Sequence, residues 1–411
     1  MYRGRSTGYA IADRISNYKF RSINPEIIYL LMMNSTVVDI QIDKIVSVDK
    51  LAYIDVLRGI AILMVILIHT SLPVNGLSTF VGYVDRYGQM GVQLFFVASA
   101  YTLCHSFVGR ANEPRPLTSF FIRRFFRIAP LYYFAIIAYY LLEPVIHILS
   151  IIQLPISKYN LESIGANILF IHGFVMSANN NIVPGGWSIG TEMTFYALFP
   201  ILFTLFSWAY KQWGILSLYG LVGLSVCLNI VIQLAIEHFL SISIVSNGFI
   251  YFNLINQLPV FLLGMTIFFY HQDRITFPCS ILVQTIFFIA ITILVAIAIQ
   301  QPQIWILRII PVCSGISFML LLNILKELNY SNSFLEQIGR VSYSMYIFHF
   351  MFAWYLVVGI AMLLGKDILP ELVLIFSVVL VTGLTYSIAK LSQKYIETPG
   401  IQLGKLLISK L

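Results

Sequence analysis

The chain has 411 residues, 59% of them hydrophobic and only 10% charged, with a formal net charge of +7. A soluble domain of this length carries far more surface charge, and the period-2 alternation of an outer-membrane barrel is absent. Apolar stretches of about 20 residues recur instead, each long enough to cross a ~30 Å hydrocarbon core. The expected fold class is therefore all-α, a polytopic integral membrane protein.

Residues 1–50 read as an N-terminal cytoplasmic segment. Met1 to Glu26 is polar and basic and lacks the apolar core of a signal peptide. Ile27 to Met33 is apolar but too short to span, and Met32 or Met33 offers an alternative translation start. Ten spans are then expected near 51–72, 88–109, 129–152, 186–208, 214–235, 249–270, 280–300, 303–325, 338–364 and 370–393. With a cytoplasmic N-terminus, the inside segments hold nineteen Lys and Arg, and the outside loops hold only Arg86, Lys158 and Lys366. This asymmetry puts both termini in the cytoplasm, and it accounts for the basic balance without nucleic acid. The longest loop, about 153–185, contains an apolar piece from Ile164 to Val175 that suits a re-entrant or interfacial helix. A short basic cytoplasmic tail is expected at 396–411. Cys104, Cys227, Cys279 and Cys313 lie far apart in apolar segments. They read as small core residues, not as a disulfide frame, and no metal site is expected.

Four segments carry polar groups that a lipid-facing helix would not keep. The first span holds Asp55, Arg58 and His69. Arg58 and His69 are eleven residues apart, about three helical turns, so they share a face roughly 16 Å apart along the axis. Ionisable groups inside a membrane mark functional sites by default, although a snorkelling arginine and an interfacial histidine would look the same in sequence. Asp55 is three residues from Arg58 and positioned to pair with it. Ahead of the third span, Arg124 and Arg127 lie on one face of a helix that Pro130 is expected to end or kink. Guanidiniums there suit bidentate phosphate, or equally anionic headgroups. The fourth span opens with Trp187, an expected interfacial anchor, then Ser188 and Glu192, at a depth comparable with His69. A buried carboxylate at that depth suits orienting the imidazole. In the ninth span Ser342, Tyr346 and His349 follow helical spacing, where interhelical hydrogen bonding is the preferred reading. Glu143, His147 and Arg308 are isolated, weaker candidates.

Together these segments resemble acyltransferase family 3, the bacterial integral-membrane acyltransferases that include polysaccharide and lipopolysaccharide O-acetyltransferases. Arg58 to His69 is similar to its Arg-x10-His element. Phe121, Arg124, Arg127 and Pro130 resemble Phe-x2-Arg-x2-Arg-x2-Pro; Trp187, Ser188 and Glu192 resemble Trp-Ser-x3-Glu; Ser342-Tyr343 through Tyr346 and His349 resemble the late Ser-Tyr-x2-Tyr-x2-His. The resemblance covers roughly 51–395. Two positions depart from it: Ala100 replaces the glycine of Phe-Phe-x-x-Ser-Gly-Phe, and Met193 stands where a second acidic residue is common.

The resemblance implies acyl transfer from acetyl-CoA in the cytoplasm to a carbohydrate hydroxyl outside, such as O-antigen, capsule or exopolysaccharide, at a bacterial inner membrane. Arg124, Arg127 and Arg58 would then meet the donor. His69 would act as general base or acyl acceptor, with Glu192 orienting it. Because no fused periplasmic hydrolase domain follows residue 411, the chain is expected to act alone or with a periplasmic partner protein. The rival class is a carbohydrate or lipid-intermediate transporter or flippase, and a closer rival is the same fold moving another acyl group such as succinyl.

Overall fold

The computed structural model describes residues 51–148, 156–241, 248–301, 304–364 and 368–411. The 1–50 segment, Lys366 and the His147 side chain lie outside the described residues. Within them every regular element is helical, and ten helices are long and apolar enough to cross a membrane. These follow the ten expected spans, with informative differences at their ends.

The first span, α1 (Ala52–Ser71), is one uninterrupted apolar helix. The second begins earlier than expected, because α2 (Thr79–Tyr87) runs through a tight turn at Gly88–Met90 into α3 (Gly91–Val108). The third, α4 (Pro116–Ile148), is 33 residues long and passes straight through Pro130 and Pro144. Pro130 therefore does not end the helix. A proline removes one backbone bond, which neighbouring helices in a bundle tolerate. As a result Arg123, Arg124 and Arg127 sit on the spanning helix itself and not on a connector. In the following loop, α5 (Leu161–Ile168) is capped by Asn160, whose side chain accepts from the Ser163 amide. It is tied to α4 by Tyr132, which donates to Asn167 Oδ1 at 2.7 Å, and by Tyr133, which donates to the Ile168 carbonyl at 2.7 Å.

Next come α6 (Gly186–Trp213), α7 (Ile215–Leu240), α8 (Gly248–Phe252), α9 (Leu254–Gln272), α10 (Ile281–Ile299) and α11 (Ile304–Glu327). Of the spanning window that contains α9, 78% is buried, against 17% for α7 and 11% for α10. The core thus forms around α9, which packs on α3, α7 and α11, while α7 and α10 expose apolar surface. Arg308 is not isolated. It donates to Gln233 and pairs with Glu237, so a buried charge links α11 to α7. Among the described residues the four cysteines are free, and Cys227 lies on the exposed face of α7 instead of in the core.

The ninth span is broken into α12 (Ser333–Arg340), α13 (Ser342–Ala353) and α14 (Tyr355–Leu364). α1 packs against α3, α12 and α13. Its contact with α12 is a backbone approach through two glycines. A Cβ on Gly59 would stand 2.3 Å from the Leu335 carbonyl oxygen, and one on Gly339 would stand 1.8 Å from that of Asp55. The last span, α15 (Pro370–Ser392), continues through a π-helical turn at Gln393–Glu397 into α16 (Thr398–Ile408). The stretch read as a tail is thus largely a helix packed on α4, with Gly400 facing Pro130 and Gly404 facing Phe126.

Overpacking at the α1–α12 contact should be felt at once. Gly339→Val is expected to destabilise the protein by about 1–3 kcal/mol, read as a lower thermal midpoint of the detergent-solubilised chain. An unchanged midpoint would refute the close approach.

Candidate functional site

Two groups of polar side chains share the interior between α1, α3, α4, α6 and α13. The first surrounds a narrow cavity of about 70 Å³ whose walls include Arg58, Ser99, Arg124, Arg127, Glu192 and Tyr346. Arg58 donates to Thr102 Oγ1 at 3.1 Å and lies 3.9 Å from Asp55. Asp55 is also 3.5 Å from Arg340, which pairs with Glu336 at 2.9 Å. The Arg124 guanidinium lies 5.6 Å from the Tyr196 ring centre and 5.9 Å from that of Phe120. Its Nε is buried and makes no hydrogen bond among the described residues. Arg58, Arg124 and Arg127 are close enough to repel one another, and Glu192 attracts the first two.

Glu192 is held within this group. Ser99 Oγ and the Tyr196 hydroxyl both donate to its Oε1. No hydrogen bond among the described residues joins Glu192 to His69, so the orienting contact expected from their similar depth is not formed. The carboxylate lines the cavity with Arg58 instead, so the depth read from the sequence put it too near His69. Ser99 and Tyr196 were not singled out as site residues, although Tyr196 is one turn from Glu192 on the same helix, a signal that was available.

The second group is a histidine pair. His69 Nδ1 lies 2.8 Å from the Val65 carbonyl and 3.2 Å from His349 Nε2, while His349 Nδ1 lies 2.7 Å from the Tyr346 carbonyl. Backbone carbonyls only accept, so Nδ1 carries the hydrogen in both rings. His349 Nε2 then accepts from His69, and His69 Nε2 is left without a hydrogen and without a partner among the described residues. The Phe350 ring packs against both imidazoles, at 4.3 Å from His69 and 4.1 Å from His349. His349 is therefore more than interhelical glue, since its Nε2 reinforces the orientation that the Val65 carbonyl gives His69.

Tyr346 joins the two groups. Its ring lies 5.6 Å from His349, and its hydroxyl lines the arginine cavity, accepting from Ser188 at 2.8 Å and donating to the Gly185 carbonyl at 3.1 Å. Gly185 has a φ of +74°, and a Cβ there would meet that hydroxyl and Phe350, so glycine is required. Trp187 is not an interfacial anchor. It is 7% exposed and stacks on Phe252 at 4.4 Å, because α8 folds back over the start of α6. Among the described residues no group of three or more His, Cys, Asp or Glu is placed to hold a metal ion.

The fold and this interior define a multi-pass α-helical membrane protein with a cationic cavity and a histidine pair joined through one tyrosine. A family model described as an acyltransferase domain matches residues 51–390, and the chain belongs to that family, acyltransferase family 3. No curated protein and no solved structure matched it. The protein is accordingly a membrane acyltransferase.

Removing the Tyr346 hydroxyl breaks its bonds to Ser188 and to the Gly185 carbonyl, which keep only the 3.0 Å bond between Ser188 Oγ and Gly185. Tyr346→Phe is expected to lower stability by about 0.5–1.5 kcal/mol, measured by thermal unfolding. A midpoint equal to that of the parent would show that the linkage contributes nothing.

Proposed function

We propose that the protein transfers an acetyl group from acetyl-CoA, supplied from the cytoplasm, to a hydroxyl of a surface or exported carbohydrate across a bacterial inner membrane. The observation that carries this reading is the placement of His69, whose Nδ1 lies against the Val65 carbonyl and His349 Nε2 while its Nε2 has no partner among the described residues. A nucleophilic hydroxyl needs a positioned base, and a neutral imidazole with one nitrogen already committed supplies it.

His69 Nε2 takes the proton of the acceptor hydroxyl as its oxygen attacks the thioester carbonyl. A tetrahedral intermediate forms, the carbon–sulfur bond breaks, and the proton passes from His69 to the departing CoA thiolate. The products are the O-acetyl ester and CoA-SH. While His69 is protonated, the Val65 carbonyl and His349 Nε2 both accept from its Nδ1–H, which stabilises the imidazolium. This direct route is favoured over a covalent acyl-histidine because Nε2 then needs only to exchange a proton.

The donor's phosphates suit the cavity of Arg58, Arg124 and Arg127. The unpartnered Arg124 Nε supports this, because a buried guanidinium donor without an acceptor fits an anionic ligand. Glu192 belongs in this scheme to the donor cavity, where it aligns Arg58 and Arg124, and not to the histidine. Asp55 and Arg340 brace Arg58 from below.

His69→Ala is expected to abolish transfer of label from acetyl-CoA to glycan in membranes while leaving insertion intact. Near-normal labelling would end the proposal. His349→Ala should lower kcat by roughly 10²-fold, within the range of a misoriented general base, whereas Arg124→Ala should chiefly raise the donor KM. Loss of protein level alone in Arg124→Ala would instead mark a structural arginine.

A further inference from the structure

At the histidine end, Tyr139, Glu143, Lys158, Tyr159, Asn180 and Trp354 line a second cavity of about 290 Å³. That volume is near the ~300 Å³ at which small-molecule sites begin. Two packed aromatic rings connect the cavity wall to the histidines. Trp354 packs on Phe350 at 4.7 Å, and Phe350 is the ring in contact with His69 and His349. Tyr139 fixes this wall to α13 by donating to the Ile347 carbonyl at 2.8 Å.

The polar groups here are incompletely used. Glu143 is 4% exposed and ion-paired with Lys158 at 3.1 Å. The Tyr159 hydroxyl lies beside the same carboxylate, but neither it nor the Glu143 oxygens make a bond of full hydrogen-bonding geometry among the described residues. Burial and the neighbouring Glu143 carboxylate hold the Tyr159 phenol above its ordinary range. Buried polar atoms left unpaired in a cavity indicate a missing partner. With Lys158 and Glu143 cancelling one another, the cavity gains little from a charged ligand. Aromatic faces beside unpaired acceptors and donors match a molecule with an apolar C–H face and several hydroxyls.

We infer that this cavity is the acceptor subsite and that its ligand is a neutral sugar ring, an assignment that rests on the acyl-transfer reading above. Trp354 and Tyr159 provide the platform for the ring. Glu143 accepts from its hydroxyls, and the exposed Asn180 amide contacts it at the rim. A hydroxyl directed past Phe350 then points toward His69 Nε2.

The test is steady-state kinetics on the purified full chain, with labelled acetyl-CoA and the methyl glycosides of glucose, galactose, mannose, rhamnose and N-acetylglucosamine. Trp354→Ala, Glu143→Gln and Asn180→Ala should each raise the acceptor KM by about tenfold, with kcat and donor KM within about threefold of the parent. Asn180 is exposed, so its variant keeps the test informative if the buried ones fold poorly. Unchanged acceptor KM in Asn180→Ala together with a general loss in the other two would overturn the assignment. A parent enzyme that labels membrane glycan but none of the glycosides would overturn the single-ring ligand. One that labels neither would overturn the carbohydrate reading itself.

Discussion

The arrangement of the interior depends on the hydrogen bond between His69 and His349. Within apolar surroundings an imidazole is retained only when its polar atoms are satisfied. Val65, His69, His349 and Tyr346 meet that requirement for three of the four ring nitrogens in one chain, crossing from α1 to α13, and leave His69 Nε2 free among the described residues. The same contact fixes the position of α13, and therefore of Tyr346, over the end of the arginine cavity. Gly59 and Gly339 act alongside it, because only a near-touching α12 lets Arg340 reach Asp55 beneath Arg58.

The arginine cavity is electrostatically unbalanced. Among the residues that line it, three guanidiniums face one carboxylate, Glu192, whose two hydroxyl donors hold it in place, and outside it the buried Glu397 attracts Arg127. Asp55 is shared between Arg58 and Arg340, so it offsets Arg58 only in part. In a medium of low dielectric such an excess of positive charge is unfavourable unless an anion visits it. The histidine pair is held by backbone carbonyls and by one ring nitrogen instead of by ions, and the Glu143–Lys158 pair beyond it carries no net charge. Charge therefore falls from one end of the site to the other, in the order in which a phosphorylated donor and a neutral acceptor would meet it.

Most of the membrane architecture was legible in sequence, because a span needs only an apolar window of the right length. The shared face of Arg58 and His69 was legible for a similar reason, since both lie on one straight helix. What failed was direction between helices. Glu192 lines the cavity with Arg58 instead of standing level with His69, held there by Tyr196 on its own helix and by Ser99 on α3. Trp187 carries an interfacial signal, yet α8 covers it, and α8 is too short to register as an element. Lys158 entered only as a topological charge and Glu143 as an isolated acid, because a loop residue folding back on a helix leaves no periodicity to detect.

The π-helical turn at Gln393–Glu397 sets the phase of everything after it. Such a turn holds one residue more than an α-turn, so the helix beyond it is rotated by about 100° from where a continuous α-helix would have pointed. With that extra residue, Gly400 and Gly404 face Pro130 and Phe126. Without it, Ile401 and Lys405 would arrive at those two slots. A branched side chain and an ammonium would then be pressed against the stretch of α4 that presents Arg124 and Arg127. The C-terminal helix thus acts as an indexed wedge, and the azimuth of the arginines is set in part by a single added residue some 270 positions further along the chain.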